Sequence, residues 1–164
     1  MTVKYEIAEI IRQKKSRYCR AIDTKQWNEI VKLAWTDADL TFYDPSGSVS
    51  TSGQTRLLFT SPQDFTKFLR QAFANAHTLH QVGEGDLEQV SADEVQAIWG
   101  MEDQIIVDVL PGLSISIRGG GYYHETWREK DGDWFLQSLK LRRTYWQPSF
   151  AAKVLLFLQR LLGL

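Results

Sequence analysis

The sequence has one cysteine, four prolines and no excess of either charge. Cys19 cannot form an internal disulfide, which fits a reducing compartment. With 19 Lys and Arg against 20 Asp and Glu, the formal net charge is -1. Nucleic-acid binding therefore has no electrostatic support, because no basic field would gather phosphates.

Motifs for metal binding and export are also missing. The chain has no CxxC or HExxH pattern and no Cys/His cluster, so nothing in it favours a zinc site. Residues 1–12 mix charged and apolar side chains and lack the continuous apolar stretch of a signal peptide. We expect a cytoplasmic protein.

What the sequence does contain is typical of one globular domain. Its 164 residues are 43% hydrophobic and 24% charged, which is enough apolar surface for a real core. Six Trp, six Tyr and eight Phe are present. Aromatic rings fill cores, and they also line pockets for small apolar ligands.

Start signals predict three helices in the first half of the chain. Thr2 is a possible cap for a helix that runs to about Ile22. Residues 23–26 resemble a capping box that would open a second, short helix. Ser61-Pro62 is a clear start for a third helix, since proline is favoured at the first helical position. A strand is expected between the second and third helices.

From His77 onward the apolar period changes to two, which predicts long strands. One strand face carries Val95, Ala97, Trp99, Met101 and Asp103. Asp131-Gly132 is a strong hairpin turn. A last strand is expected over about residues 134–146. Its odd positions are the more apolar set, namely Phe135, Leu139, Leu141 and Tyr145, together with Arg143.

Consecutive strands joined by short turns favour an antiparallel sheet and an α+β layout. A strongly curved sheet whose open face is covered by the three N-terminal helices makes a cone around a central pocket. We predict one such domain over residues 1–146.

An apolar segment follows Pro148 and is too short to span a membrane. We predict a C-terminal amphipathic helix over residues 147–164, packed on its own domain or on a neighbouring subunit. A membrane-surface helix is the alternative, although only Lys153 and Arg160 supply positive charge. The predicted apolar face consists of Val154, Leu155, Leu158, Leu161 and Leu162.

Few residues are candidates for chemistry. His80 is one of three histidines and lies early in the first long strand. Asp23 is a plausible helix N-cap as well as a candidate acid. Asp103 ends an apolar strand face, where an unpaired carboxylate would be costly. Arg143 has the same problem with the opposite sign, so a structural ion pair between the two competes equally with a catalytic role.

Five segments of the chain form a recognisable pattern: Tyr18–Asp23, Ala76–His80, Trp99–Asp103, Gly121–Trp127 and Asp131–Trp134. Together they resemble the SnoaL-like family of the nuclear transport factor two-like superfamily. The resemblance covers about residues 3–146 and implies a cone-shaped α+β fold with a pocket.

Within that superfamily the chain is most similar to the bile-acid and scytalone dehydratase branch. The first-helix tyrosine and aspartate of the bile-acid enzyme correspond to Tyr18 and Asp23. Its strand histidine, later strand aspartate and late-strand arginine correspond to His80, Asp103 and Arg143. Scytalone dehydratase has a second active-site histidine on a strand, for which this sequence offers no placed equivalent.

The resemblance implies a cofactor-independent dehydratase, a lyase, acting on a hydrophobic hydroxy-carbonyl compound. His80 would move the proton, Asp23 would orient the imidazole, and Tyr18 would donate a hydrogen bond to the enolate oxygen. Asp103 would bind the leaving hydroxyl or orient water. No metal ion or organic cofactor is expected. The candidate substrate-binding residues are Arg143, Trp99, Met101, Tyr43 and Trp35.

Other functions stay open for the same pocket. An isomerase could use the same base and return the proton to another carbon, and an epoxide hydrolase would use Asp103 and Arg143 around a water molecule. A cyclase in the same pocket is a further alternative. In a domain that only binds small molecules or assembles with another subunit, His80 and Asp23 should not be hydrogen-bonded. We also expect a homo-oligomer, a dimer or a trimer, that packs through the outer face of the sheet.

Overall fold

The computed structural model describes residues 2–162. Within that range the chain forms four helices and eight strands. In chain order they are α1 Tyr5–Asp23, α2 Trp27–Leu33, β1 Ala34–Tyr43, β2 Thr51–Ser52, β3 Thr55–Arg56, β4 Leu58–Phe59, α3 Pro62–Ala72, β5 Ala76–Ser91, β6 Glu94–Leu110, β7 Leu113–Lys130, β8 Asp133–Pro148 and α4 Phe150–Leu162.

Six strands form one curved, open sheet in the order β4-β1-β8-β7-β6-β5. Neighbouring strands are antiparallel except for β1 and β8, which run parallel. The strands β2 and β3 form a separate small hairpin in the segment after β1. The predicted α+β class with a curved, mostly antiparallel sheet is therefore confirmed.

Helix α1 packs its apolar face against the sheet, with Ile11, Tyr18 and Ile22 almost fully buried. Its start differs from the prediction. The N-cap is Lys4, without a side-chain capping bond, and Thr2 instead forms a β-bridge with Glu88. The apolar stripe holds the helix by tertiary packing, so a strong cap is not required.

The predicted capping box over residues 23–26 is also corrected. Helix α2 begins after Gln26, whose side chain makes no capping bond. Asp23 is the last residue of α1, and its carboxylate turns towards β5 instead of capping α2. Lys25 has a φ of 58°, so the chain reverses between the two helices through a left-handed residue.

Two predictions made from local sequence signals are confirmed, the start of the third helix and the hairpin turn. Ser61 caps α3, because its Oγ accepts a hydrogen bond of 3.1 Å from the backbone N–H of Asp64. Asp131 and Gly132 have φ values of 54° and 82° and join β7 to β8 in a two-residue turn.

Strand β8 does not keep one alternation along its length. A bulge places Gln137 as an extra residue, because Leu136 pairs with Trp127 and Ser138 pairs with Thr126. The buried set is therefore even-numbered before the bulge and odd-numbered after it: Trp134, Leu136, Leu139 and Leu141. Phe135, predicted to share the apolar face, leaves it for this reason. Tyr145, also predicted for that face, leaves it because a second irregularity at Thr144 separates it from Arg143.

Helix α4 packs near the end of the sheet. Ala152 is fully buried, and Ser149 Oγ accepts hydrogen bonds from the backbone N–H groups of Ser116 and Ala152, both 3.3 Å long. Val154 is exposed. The side chains of Leu158, Leu161 and Leu162 lie outside the described residues. No helix of residues 2–162 has the length and apolarity to cross a membrane.

A buried ion pair joins α1 to the centre of the sheet. Lys15 Nζ lies 2.5 Å from Glu125 Oε1, and the two side chains are 1% and 0% exposed. The indole N–H groups of Trp99 and Trp127 donate to Glu125 Oε2 at 2.8 and 3.0 Å. Lys15 Nζ also lies 3.4 Å from the ring centroid of Tyr123. Both charges are thus fully compensated inside the core.

Replacing Lys15 by Met should destabilise the protein by about 3–5 kcal/mol, because Glu125 would remain as an unpaired buried charge. The double variant Lys15→Met/Glu125→Gln removes both charges and keeps an oxygen for the two indoles, so its loss should be smaller. Urea unfolding measures both. A double variant that is less stable than Lys15→Met would contradict this account.

Candidate active site

The end of α1 meets the edge strand β5 through the Asp23 carboxylate. Asp23 Oδ1 lies 2.7 Å from His80 Nδ1 and accepts a 2.8 Å hydrogen bond from the Thr78 hydroxyl. Asp23 Oδ2 accepts a 2.9 Å hydrogen bond from the backbone N–H of His80. Three contacts therefore hold this carboxylate, and the His80 side chain is 7% exposed.

This contact determines how His80 can react. An ionised carboxylate only accepts hydrogen bonds, so Nδ1 must be the protonated nitrogen of a neutral imidazole. The Nε2 atom is then left with its lone pair free to accept a proton. The arrangement is the one in which an aspartate fixes the tautomer of a catalytic histidine.

A second carboxylate lies on the other side of the imidazole. Asp103 Oδ2 is 4.0 Å from His80 Nε2, too far for a hydrogen bond. Arg143 instead binds both Asp103 oxygens, with Nη1 3.0 Å from Oδ1 and Nη2 2.5 Å from Oδ2. Its guanidinium also lies over the Trp146 ring, 4.6 Å from the centroid. Asp103 is 2% exposed, and this bidentate pair offsets the cost of burying it.

Tyr18 lies on the buried face of α1, one turn and a half before Asp23. Its ring packs edge-on against Tyr123. Its hydroxyl is buried and has no hydrogen-bond partner among the described residues. Burial raises the pKa of Tyr18 well above the ordinary value, and Cys19 and Glu125 add to the effect. The phenol therefore stays protonated and can donate its hydrogen.

An open groove with a volume of about 960 Å³ lies between α1, β5 and β6, and Asp23 and His80 both line it. Tyr18, Asp103 and Arg143 are not among the described residues that line this groove. The lining residues that the sequence analysis did not predict include Cys19, Arg20 and Val82. It also did not predict the contact of Thr78 with Asp23, although Thr78 shares a strand face with His80 and the period of two would have indicated it.

Of the four predicted apolar or aromatic walls, only Met101 lines the groove. Trp99 is 2% exposed, and its indole belongs to the Glu125 cluster. Trp35 packs against Phe135. Tyr43 lies under Arg142 on the outer face of the sheet. The described contacts of Trp35 and Tyr43 therefore lie away from the groove.

The other two histidines lie elsewhere. His77 is exposed, with Nε2 3.3 Å from Asp108 Oδ2. His124 points to the outer face, where partial burial and then Arg142 lower its pKa. His80 is thus the one histidine of the chain that lines the groove. Within residues 2–162 no group of three His, Cys, Asp or Glu side chains is arranged to hold a metal ion.

A model of the SnoaL-like domain matches residues 5–140, which is most of the chain. The protein belongs to the SnoaL-like family. A curated relative from Gibberella zeae, "Probable cyclase FGR4", is 35% identical over 147 residues, which cover 90% of this chain and 97% of the relative.

Solved structures share the same fold at low sequence identity. Hexachlorocyclohexane dehydrochlorinase LinA-type3 from Novosphingobium barchaimii superimposes with a TM-score of 0.68 at 21% identity, over 87% of this chain and 89% of that one. A putative scytalone dehydratase from Novosphingobium aromaticivorans also gives 0.68, at 18% identity over 85% of each chain. The names of these relatives and the family match support an enzyme of the SnoaL-like type that converts small molecules.

The unpaired hydroxyl of Tyr18 gives a stability prediction. Tyr18→Phe should leave the free energy of unfolding unchanged or raise it, because the variant removes a buried polar group that has no partner. Thermal unfolding of parent and variant at equal concentration measures the change. A loss of more than about 1 kcal/mol would mean that the hydroxyl makes a stabilising hydrogen bond.

Proposed function

We propose that this protein is a cofactor-independent dehydratase acting on a hydrophobic hydroxy-carbonyl compound. The observation that carries the proposal is the 2.7 Å contact between His80 Nδ1 and Asp23 Oδ1 beside a groove. With Nδ1 donating to the carboxylate, Nε2 is the nitrogen available as the base. Met101 and Val82 give the groove an apolar wall, which suits a hydrophobic substrate.

In the first step His80 Nε2 takes a proton from the carbon next to the substrate carbonyl. The electron pair of that C–H bond moves into an enolate. Asp23 stabilises the imidazolium that forms, as the acid of a catalytic triad does. The Tyr18 hydroxyl donates a hydrogen bond to the enolate oxygen, directly or through water.

In the second step the enolate expels the hydroxyl group from the neighbouring carbon. The imidazolium returns its proton to that hydroxyl, so water leaves and a carbon–carbon double bond conjugated to the carbonyl remains. His80 is neutral again at the end of the cycle. An imidazole suits both transfers near neutral pH because it can both accept and donate a proton there.

The Asp103–Arg143 pair lies next to His80 Nε2, the atom that carries the proton in this mechanism. Both Asp103 oxygens already accept hydrogen bonds from Arg143, so Asp103 acts as part of an ion pair and not as an independent base. Arg143 has N–H donors left over after binding Asp103, and these can bind a polar substrate oxygen.

His80→Ala and Asp23→Asn should each lower kcat by roughly 10²–10⁴-fold, the usual contribution of a positioned general acid–base. His77→Ala is the matched control, because His77 lies on the same strand, is exposed and does not line the groove. Turnover is measured on each variant after circular dichroism has shown that it is folded. Full activity in both His80→Ala and Asp23→Asn would refute the dyad.

A cyclase is the second candidate, because the curated relative at 35% identity is named a probable cyclase. The first step would be the same. The enolate carbon would then attack a second carbonyl in the same molecule instead of expelling hydroxyl, and His80 would return its proton to the new alkoxide.

Product mass distinguishes the two reactions. Hydroxy-ketones and steroid-like compounds are first screened for a rise in melting temperature, since a ligand that binds only the folded state stabilises it. Each compound that binds is then incubated with the protein and analysed by mass spectrometry. Loss of one water is expected for the dehydratase. A product of unchanged mass would overturn the dehydratase proposal, and one that also contains a new ring would support ring closure by addition.

A further inference from the structure

Strand β7 carries three consecutive glycines, Gly119, Gly120 and Gly121. A Cβ atom at Gly119 would collide with Arg143 Nη1 and lie 3.0 Å from Asp103 Oδ1. Gly119 pairs with Asp103 across the sheet. Because Gly119 has no side chain, the Arg143 guanidinium occupies the space that a side chain would fill.

The two neighbouring glycines meet other atoms. A Cβ at Gly120 would collide with the Tyr145 ring on the outer face of the sheet. A Cβ at Gly121 would collide with the backbone carbonyl of Arg142, at the irregularity between β7 and β8. Only Gly119 therefore opens towards the Asp103–Arg143 pair.

The position of Arg143 affects whether the Asp103 carboxylate can interact with the His80 ring. Asp103 is buried, and its Oδ2 lies 4.0 Å from His80 Nε2. With Arg143 in place, both oxygens have a cationic donor. Without it, the His80 imidazole, whose Nε2 lies 4.0 Å from Oδ2, is a group that can supply a cationic donor to the carboxylate.

We propose that Gly119 is a positioning residue: it seats Arg143 against Asp103, and this clamp keeps the Asp103 carboxylate off His80 Nε2. The nitrogen then stays free for a substrate proton. The inference rests on the proposed function, in which Nε2 is the base, and it extends that function to a strand that lies outside the groove. An imidazole held between two carboxylates keeps its proton to a higher pH, so a smaller fraction of it can act as a base at neutral pH.

Several titratable or charged groups face His80 or line the same groove. Only Asp103 changes its partner when the clamp is removed. The groups are Asp23, Cys19 and Arg20 from α1, Glu102 and Asp103 from β6, and Arg143 from β8.

The test compares Gly119→Ala with Gly120→Ala, two identical substitutions on opposite faces of the same strand. The new methyl group would contact the end of the Arg143 side chain in Gly119→Ala and the Tyr145 ring in Gly120→Ala. Both side chains can move, so both variants should fold. The pH at which the His80 ring loses its proton is followed by NMR, with the signal assigned against His80→Gln. It should rise by about one pH unit in Gly119→Ala, because a newly freed carboxylate favours the imidazolium. It should stay at the parent value in Gly120→Ala.

With an active substrate, the acid limb of the pH–rate profile should move by the same amount in Gly119→Ala. In this variant kcat should fall, and KM should change less than kcat. Arg143→Gln removes the clamp without touching β7 and should shift the His80 titration in the same direction. Adding Asp103→Asn to Gly119→Ala should return it towards the parent value.

A Gly119→Ala variant that titrates like the parent would overturn the proposal, and so would an Arg143→Gln variant without a shift. The NMR titration needs no substrate, so it separates this proposal from the proposed function. If the titration shifts but the protein converts none of the compounds, the proposed role of Gly119 stands and the dehydratase proposal is rejected.

Discussion

The site depends on one contact, the binding of the Asp23 carboxylate to β5. Asp23 is the last residue of α1, and its two oxygens accept from the Thr78 hydroxyl, the His80 backbone and the His80 ring. This contact fixes the end of the helix against the sheet and selects the imidazole tautomer at the same time. A helix that ended one residue earlier or rotated by one position would leave His80 without an orienting acid.

The interior contains three carboxylates with little or no solvent exposure, and each has its own partner. Asp23 binds His80, Asp103 binds Arg143, and Glu125 binds Lys15. Because a buried charge without a partner costs several kcal/mol, these pairings constrain which side chains can be exchanged. The pairs are also chemically distinct, since the Asp23 pair contains an imidazole and the other two contain a guanidinium and an ammonium group.

Local signals were sufficient for much of the fold. Ser61-Pro62 and Asp131-Gly132 predicted a helix start and a hairpin turn because both act through their own backbone geometry. The alternation from Val95 to Asp103 correctly predicted a buried strand face. The bulge at Gln137 was beyond such reasoning, because it depends on how β8 pairs with β7 and not on composition.

The candidate site was predictable where a resemblance supplied the partners, as for His80 and Asp23, and less so elsewhere. Asp23 looks like a helix cap from the sequence, and only the tertiary contact with β5 changes that interpretation. Trp35 and Tyr43 were assigned to the pocket by residue type alone, and the pairing of β1 with β8 directs them elsewhere. Lys15 belongs to a residue type that is mostly exposed, yet it lies in the core, where Glu125 pairs with it.

The position of β5 at the edge of the sheet has a consequence for how the molecule tolerates stress. Among the described residues, one flank of this strand has the Thr2–Glu88 bridge and no neighbouring strand, so the contact with α1 through Asp23 adds to the few bonds on that side. Regions with fewer cooperative contacts open at lower free energy than the whole domain. Fraying of this border would separate His80 from Asp23 while β6, β7 and β8 remained paired, so the proposed dyad would be lost before the architecture is.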